Sequence, residues 1–461
     1  MNVVLISPYE IGRQPFGLAE PAALLSAEGH NVSCVDLAVQ RLADAPLAQA
    51  DVVAIYVAMH TATRIAVEAM PRIRAAAPRA HLCVYGLYAP MNETLLRELG
   101  VATVLGGEFE PALLSMVRRV AAGEPEQSEP VIAHGKFTCL PPQRDGLPDL
   151  THYARLLLPD GGEKIVAFAE TTRGCKHLCS HCPVVPVYQG RFRALPRDIV
   201  LQDISQQVVQ GAQHVSFGDP DFLNGPTHAR RIVSALHEQF PGVTYDCTIK
   251  VEHLLKHADL LPLLSETGCL FVTSAVESTD ERILQIFRKQ HTVTDFARAV
   301  TLMEQHGIAL APTFVAFTPW TTLEGYLGLL CKLAELQLVN AVPPIQLAIR
   351  LLVPEGSYLL RETEMRPHLQ AFDPHVLGYP WQHPDGAVDQ LQESVQALVA
   401  EGEAGGCSRQ ELFAEIWHAA HRACGQIPPQ LPARVFGRVI PHLSEQWYCC
   451  AEPTEQQLAA Y

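Results

Sequence analysis

Short apolar runs recur along the first part of the chain, and longer stretches with the mixed pattern of a helix lie between them. The apolar runs occupy residues 2–7, 32–37, 51–57, 81–85 and 101–105. The helical stretches occupy residues 18–28, 64–77 and 111–121. Strands that alternate with helices predict a doubly wound parallel sheet, so residues 1–122 are expected to form a Rossmann-like α/β domain. Such a sheet binds ligands at the carboxyl ends of its strands.

A polar, proline-containing segment at residues 123–160 is predicted to be a linker to a second alternating region. The apolar runs there occupy residues 164–170, 214–218, 244–251, 270–277, 308–317 and 345–352. The predicted helices include residues 197–210, 280–288 and 292–305. Six strand–helix units predict a partial (βα)6 barrel at residues 161–355, although an open sheet would have the same pattern. Residues 356–461 are predicted to be mostly helical, with helices at 387–400 and 409–424.

The composition narrows the class of protein. Hydrophobic residues make up 48% of the 461 residues and charged residues 18%, which is a globular composition. The 34 basic and 49 acidic residues give a net charge of −15, so a nucleic acid is not an expected partner. The sequence has no signal-peptide pattern and no apolar run of about 18 residues, so we expect a cytoplasmic protein without a membrane partner. Its 13 cysteines are then expected to be reduced.

Three cysteines are closely spaced directly after the first predicted strand of the barrel. Cys175, Cys179 and Cys182 have the spacing C-x3-C-x2-C within TTRGCKHLCSHCP. Three thiolates on one short loop can hold three irons of a [4Fe–4S] cluster and leave the fourth iron open. A zinc site completed by His177 or His181 is the alternative. Structural zinc usually uses two ligand pairs on either side of a longer loop, and no second pair lies nearby, so the spacing favours the cluster.

The segment ETTRGCKHLCSHC resembles the signature of the radical S-adenosylmethionine (radical SAM) superfamily, and the resemblance extends over residues 164–353. It implies a [4Fe–4S] cluster on the three cysteines and S-adenosylmethionine (SAM) bound at the open iron. It also implies cleavage of a C–S bond of SAM by an electron from a flavodoxin- or ferredoxin-type donor. One departure is His181, because the family usually has an aromatic residue before the last cysteine.

The same resemblance assigns SAM-binding roles to residues at the ends of the barrel strands. Asp219 belongs to a motif near the methionine amino group of SAM, and Glu277 and Ser278 face the ribose. Lys250 and Arg350 contact the carboxylate. Structural roles are the alternative, because Asp219 lies where turns are common and Glu277 could cap the following helix. The complete predicted set is Phe217, Gly218, Asp219, Lys250, Glu277, Ser278 and Arg350.

Residues 15–28, 51–57 and 106–110 resemble the N-terminal domain of cobalamin-dependent radical SAM enzymes, which implies cobalamin as a third cofactor. The Asp-x-His-x-x-Gly motif that supplies a cobalt ligand is absent, although some members of that family bind cobalamin without it. Residues 85–88, Tyr-Gly-Leu-Tyr, stand where the family usually has Gly-Gly, and their bulk would crowd a corrin face. A scaffold domain that binds no cofactor is therefore the alternative.

Cys449 and Cys450 form a vicinal pair near the end of the chain. Two small buried hydrophobes are one interpretation, and a pair of reactive thiols on a mobile tail is the other. The segment YCCAEP resembles the end of the CUAEP/CCAEP-tail radical SAM family, in which selenocysteine can occupy one of the two positions. That resemblance implies a nucleophilic or redox role. Soft thiolates bind thiophilic centres such as trivalent arsenic, and the chain is similar to radical SAM enzymes of arsinothricin biosynthesis.

Three functions follow from these features. The first is a radical SAM transferase that moves the 3-amino-3-carboxypropyl group of SAM to a thiolate-bound acceptor, with arsenic(III) as the specific acceptor, in natural product biosynthesis. The second is a cobalamin-dependent radical SAM methyltransferase that acts on a small metabolite. The third, from a different class, is a redox or metal sensor that uses both groups of cysteines and needs no SAM.

Overall fold

The computed structural model describes residues 1–124 and 126–445. The first part of the chain contains six strands, β1 (Asn2–Ser7), β2 (Asn31–Asp36), β3 (Val52–Tyr56), β4 (His81–Tyr85), β5 (Thr103–Gly107) and β6 (Ile132–Ala133). They form one parallel sheet in the order β2-β1-β3-β4-β5-β6. The predicted doubly wound sheet is confirmed. Its strand order reverses between β1 and β3, which is where such sheets bind ligands.

Five helices cover this sheet. They are α1 (Phe16–Ala27), α2 (Asp44–Ala48), α3 (His60–Ala76), α4 (Glu93–Glu98) and α5 (Glu110–Ala121). Apolar residues of α1 and α5 pack on one face of the sheet, and those of α2, α3 and α4 pack in a separate core. The four central strands are almost entirely buried, which explains why their sequences are continuous apolar runs rather than alternating ones.

The second part of the chain is built on nine further strands. They are β7 (Arg155–Leu157), β8 (Glu163–Ala169), β9 (Thr172–Gly174), β10 (Phe192–Ala194), β11 (His214–Phe217), β12 (Thr244–Thr248), β13 (Cys269–Glu277), β14 (Ala309–Phe314) and β15 (His442–Leu443). Seven of them form a sheet in the order β14-β13-β12-β11-β8-β7-β15, and β9 and β10 form an antiparallel hairpin. The five strands from β8 to β14 in this sheet are parallel and make a half-barrel, as the sequence predicts.

Helices connect the parallel strands and continue beyond them. They are α6 (Val184–Tyr188), α7 (Arg197–Val209), α8 (Pro226–Gln239), α9 (Val251–Lys256), α10 (Leu261–Glu266), α11 (Glu281–Ile286), α12 (Val293–Gln305), α13 (Leu323–Glu335), α14 (Gly386–Ala404) and α15 (Arg409–Ala423). The last two are the helices predicted for the C-terminal region, and they pack against each other. Within the described ranges, every helix is too short or too polar to span a bilayer.

The prediction of a sixth barrel strand at residues 345–352 is wrong. Pro344–Leu347 is instead a 3-10 helix that follows Pro343. Because a 3-10 helix does not offer its backbone to a neighbouring strand, this segment does not extend the sheet beyond β14. Among the described residues, a single parallel bridge between Phe317 and Arg350 lies where the sixth strand of the half-barrel was predicted.

Arg144 lies in the segment predicted to be a linker, but its side chain is buried between the two sheets. Its Nε and Nη2 donate hydrogen bonds to the two carboxylate oxygens of Asp203 on α7, at 2.6 and 2.8 Å. Its Nη1 donates to Gln14 Oε1 in the loop after β1 at 2.7 Å, and Nη2 also donates to the carbonyl of Phe168 on β8 at 2.8 Å. A bidentate guanidinium pair is strong and directional, so this contact fixes the first sheet against the half-barrel.

Candidate functional site

The three closely spaced cysteines lie on the loop between β9 and α6, at the carboxyl-terminal end of the half-barrel. Cys175 and Cys179 are buried and Cys182 is partly buried, and all three border one cavity. The sulfur of Cys175 lies 3.9 Å from Asn224 Oδ1, and the sulfur of Cys179 lies 3.9 Å from the carbonyl of Arg288. The sequence prediction that these cysteines form one group is therefore compatible with the structure.

The cavity lies between the carboxyl ends of the strands of both sheets and has a volume of about 280 Å³. The loops after β1, β3 and β4 supply one wall, which includes Glu10, Tyr56 and Tyr88. The half-barrel and the cysteine loop supply the other wall, which includes Lys250 and Glu277. Because parallel sheets bind ligands at this edge, the cavity is the candidate active site.

Lys250 lies two residues after the end of β12 and borders the cavity. It is 6% exposed, and its Nζ has no hydrogen-bond partner among the described residues. The carboxylate of Glu252 is at 3.9 Å, which is the outer limit of an ion pair. A buried ammonium that lacks hydrogen bonds costs free energy unless a ligand completes it, so Lys250 fits the carboxylate of SAM.

Glu277, the last residue of β13, forms a buried network beside the cysteines. Its Oε1 lies 3.3 Å from Lys289 Nζ and 3.1 Å from His181 Nε2. Burial alone would raise the pKa of Glu277, but Lys289 and His181 outweigh burial and lower that pKa to about 2. The ring of His181 also lies against Phe287, with a centroid distance of 4.3 Å. His181 Nε2 is thus engaged by Glu277, whereas His181 Nδ1 has no hydrogen-bond partner among the described residues.

Lys289 is a site residue that the sequence analysis missed. Its side chain borders the cavity and is 3% exposed, and burial would lower its pKa, whereas Glu277 raises it above its ordinary value. The neighbouring Cys179 and Cys182 raise that pKa further when they are thiolates. A cation in this position favours the thiolate forms that a cluster requires.

The other predicted SAM contacts occupy different positions. Gly218 borders the cavity, whereas the carboxylate of Asp219 accepts hydrogen bonds from the hydroxyls of Thr171 and Thr172, at 2.7 and 2.5 Å, and from the Thr171 amide at 3.1 Å. Asp219 therefore braces the strand that leads to Cys175. Phe217 stacks in the core on Phe222 with a centroid distance of 4.9 Å.

Ser278 and Arg350 also lie apart from the cavity lining. The hydroxyl of Ser278 accepts a hydrogen bond from the amide of Asp280 at 3.1 Å. The guanidinium of Arg350 donates to Asp389 Oδ1 at 2.7 Å and lies 3.6 Å from the ring centroid of Trp381. A SAM contact by either residue stays a prediction, and for Arg350 it requires the side chain to leave Asp389.

A second polar network that the sequence analysis missed lies beside Cys175. His253 Nδ1 is 2.7 Å from Asp221 Oδ2, and His177 Nε2 is 3.4 Å from the same oxygen. Potential ligand atoms of Cys175, His177 and Asp221 lie within 4.8 Å of one another. Burial would raise the pKa of Asp221, but the two histidines lower it below the ordinary value. The only sequence signal for this network was the histidine within the cysteine motif.

The residues around the cavity fit the two cofactors that the cysteine motif implies. The three thiols can hold three irons of a [4Fe–4S] cluster, and Lys250 can receive the carboxylate of SAM. When bound, these groups supply a one-electron cleavage of a C–S bond. The chain's own contribution is to keep the sulfurs together, to balance charge through Lys289 and Glu277, and to limit access of water.

We expect Lys250→Met to weaken SAM binding about ten- to a hundredfold, because a hydrogen bond to a charged group contributes roughly 1.5–3 kcal/mol. The cluster absorbance should not change. Equilibrium dialysis of labelled SAM against the unreduced, cluster-loaded protein measures this affinity. Lys256→Met, which changes an exposed lysine on the adjacent helix α9, serves as the control. Unchanged SAM affinity in Lys250→Met would show that this ammonium does not contact SAM.

Lys289→Met should destabilise the folded protein by about 3 kcal/mol, because it leaves the buried carboxylate of Glu277 without its ammonium partner. The double variant Glu277→Gln/Lys289→Met should recover most of that loss, since it removes both charges. Anaerobic denaturant titrations of the cluster-loaded proteins measure the free energy of unfolding. A double variant no more stable than Lys289→Met would contradict the ion-pair explanation.

Comparison with known proteins agrees with the geometry. The Radical SAM superfamily model matches residues 169–319. The tRNA-2-methylthio-N(6)-dimethylallyladenosine synthase of Photobacterium profundum is 24% identical over 166 residues, which are 34% of this chain and 35% of that protein. The same enzyme of Chlorobium phaeovibrioides is 26% identical over 187 residues, 38% of this chain and 41% of the relative. The chain thus spans about a third to two fifths of these relatives.

Two solved structures share the fold over most of the chain. The radical SAM methyltransferase TsrM from Kitasatospora setae, with tryptophan substrate and the SAM analog aza-SAM bound, has a TM-score of 0.64 at 16% identity and covers 94% of this chain and 92% of that chain. The cobalamin-dependent SAM radical enzyme OxsB, with aqua-cobalamin bound, has a TM-score of 0.66 at 13% identity and covers 92% and 72%. Residues 169–319 therefore match the Radical SAM superfamily model, and the chain as a whole has the fold that these two structures share.

Proposed function

We propose that this enzyme is a transferase that moves a SAM-derived group onto an acceptor held in the cavity between the two sheets. The observation that carries this proposal is the arrangement of the cavity walls. Cysteines of the cluster motif and Lys250 lie on the half-barrel side, and a separate wall from the first sheet faces them. That second wall supplies a place for an acceptor close to the position at which SAM is cleaved. The electron comes from a flavodoxin- or ferredoxin-type donor.

The first candidate reaction moves the 3-amino-3-carboxypropyl group to trivalent arsenic, as in arsinothricin-type biosynthesis. Its support is chemical and comes from Cys449 and Cys450, which lie outside the described residues. Two adjacent soft thiolates can hold a thiophilic centre such as arsenic(III). In this reaction the two thiolates bind arsenic(III) as the acceptor, which must reach the cavity where SAM is cleaved.

The second candidate reaction is cobalamin-dependent methyl transfer to a small metabolite. Ala58, Met59 and Leu87 give the first-sheet wall an apolar edge that suits a large flat ligand. Tyr85 would crowd a corrin face less than its sequence position indicated. Its ring packs inward against Phe109 with a centroid distance of 4.9 Å. Tyr88 still borders the cavity. TsrM is a methyltransferase and OxsB is cobalamin-dependent, which adds support from fold alone.

Identification of the SAM fragment separates these reactions. The anaerobic enzyme is reduced in the presence of SAM with arsenite, and in parallel without an acceptor, and the products are separated by liquid chromatography and mass spectrometry. Methylthioadenosine supports transfer of the aminocarboxypropyl group, whereas S-adenosylhomocysteine together with cobalamin absorbance bands supports methyl transfer. 5′-Deoxyadenosine alone would indicate hydrogen abstraction and contradict both. Absence of both SAM binding and SAM cleavage would contradict the transferase and favour the sensor, which needs no SAM.

A further inference from the structure

Glu10 is a buried acid in the cavity wall for which the cluster and SAM assignments above give no role. It lies in the loop after β1, it is 6% exposed, and it borders the cavity. Its Oε2 is fully buried and has no hydrogen-bond partner among the described residues. An unsatisfied buried carboxyl oxygen costs free energy, so its presence in a ligand cavity indicates a missing donor.

Glu170 lies on the facing wall, directly after β8, and borders the same cavity. Its Oε2 accepts a hydrogen bond from Arg173 Nε at 3.0 Å, and burial raises its pKa to about 6. Burial, and then the charge of Glu170, raise the pKa of Glu10 well above its ordinary value. Burial, and then the charges of Glu10 and Glu170, raise the pKa of the Tyr56 hydroxyl. Tyr56 also borders the cavity. The two acids and this ring therefore belong to one local group.

Acids outnumber bases around this group. Arg13 borders the cavity with its guanidinium 4.8 Å from the ring centroid of Phe168, and it lowers the pKa of Glu10 only in part. Arg173 is shared among several carboxylates. Its ion-pair partners are Glu20, Glu108, Glu110 and Glu170. A cationic ligand beside these acids would stabilise the ionised form of Glu10, which burial disfavours, and would supply the missing partner of its Oε2.

We propose that Glu10, together with Glu170 and the ring of Tyr56, forms a subsite that binds a protonated amine of an organic acceptor. Glu10 Oε2 accepts a hydrogen bond from the ammonium group, Glu170 contributes charge from the facing wall, and the aromatic face adds a cation–π contact. This inference deepens the second candidate reaction, whose acceptor is a small metabolite, and rests on the proposed function in that respect.

The test compares two probes of nearly equal shape, 2-phenylethylamine and 2-phenylethanol, by calorimetric titration of the cluster-loaded enzyme with SAM present and no reductant. We expect the wild-type enzyme to bind the amine at least tenfold more tightly than the alcohol. Glu10→Gln should lower the affinity for the amine at least tenfold and leave that for the alcohol unchanged. Glu68→Gln, an exposed glutamate on α3, is the matched control and should change neither.

A stability measurement separates binding from folding. Without a probe, Glu10→Gln should melt at or above the wild-type temperature, because the amide has nearly the same shape and cannot carry the charge that burial disfavours. Equal affinity of the wild type for both probes, preference for the amine in Glu10→Gln, or a large loss of stability in that variant would each overturn the proposal. Because binding is measured without turnover, SAM cleavage in the same preparations tests the proposed function separately.

Discussion

Replacing Cys175, Cys179 or Cys182 by Ala, one at a time, will remove the iron–sulfur absorbance and abolish SAM cleavage. In the predicted cluster each thiolate holds one iron, and alanine offers no ligand atom. The loss should reach the background of the assay, because two remaining thiolates leave the cluster incompletely held. Anaerobic reconstitution followed by absorbance, iron content and the yield of SAM fragments measures the effect.

The control for these variants is Cys331→Ala, which removes an exposed thiol of α13 far along the sequence from the motif. It should retain the cluster and SAM cleavage. Wild-type SAM cleavage in any one of the three motif variants would rule out the role of that cysteine as an obligatory cluster ligand.

Replacing Cys449 and Cys450 by Ser, singly or together, is expected to leave the cluster and SAM binding intact and to reduce product formation with arsenite to background. A serine hydroxyl stays protonated near neutral pH and is a hard, weak ligand, whereas a thiolate is soft. Removal of the chain from Trp447 onward should have the same effect. Mass spectrometry of 3-amino-3-carboxypropyl arsenic, beside equilibrium dialysis of SAM, separates loss of product from loss of cofactor.

Cys407→Ser is the matched control for the tail, because Cys407 is an exposed cysteine of the C-terminal region. It should form product at the wild-type rate. If the two tail variants also turn over at that rate, the tail thiols do not hold the acceptor, and the arsenic reaction loses its chemical basis.

The parts of the structure that depend on local pattern were predictable from sequence. β1 and β4 have the predicted bounds because buried parallel strands are unbroken apolar runs between polar turns. The cysteine motif could also be predicted from the sequence, because its three predicted ligands lie on one loop. The sixth strand was not predicted correctly, because residues 345–352 are apolar enough for a strand, whereas Pro344–Leu347 folds as a 3-10 helix.

The residues that the sequence analysis missed depend on contacts between distant segments. Lys289 lies between Arg288 and Gln290, which both have left-handed backbone angles, φ 55° and 60°. This irregular turn accompanies an inward-facing lysine, which no periodic pattern would indicate. Arg350 was expected at the cavity as a strand-end residue, but Asp389, from a helix of another region, holds its guanidinium. Sequence spacing carries no information on such pairs.

The Arg144 contact has a thermodynamic consequence for the two sheets. Its guanidinium is completely buried and bonds at once to Gln14 of the first sheet's loop, to Asp203 of α7 and to Phe168 of β8. If the half-barrel unfolds alone, Arg144 loses the Asp203 carboxylate, and a charged group left beside the folded first sheet without that partner carries a penalty of several kcal/mol. Unfolding of the first sheet alone removes only the bond to Gln14. We therefore expect the half-barrel to outlast the first sheet when the protein unfolds in parts.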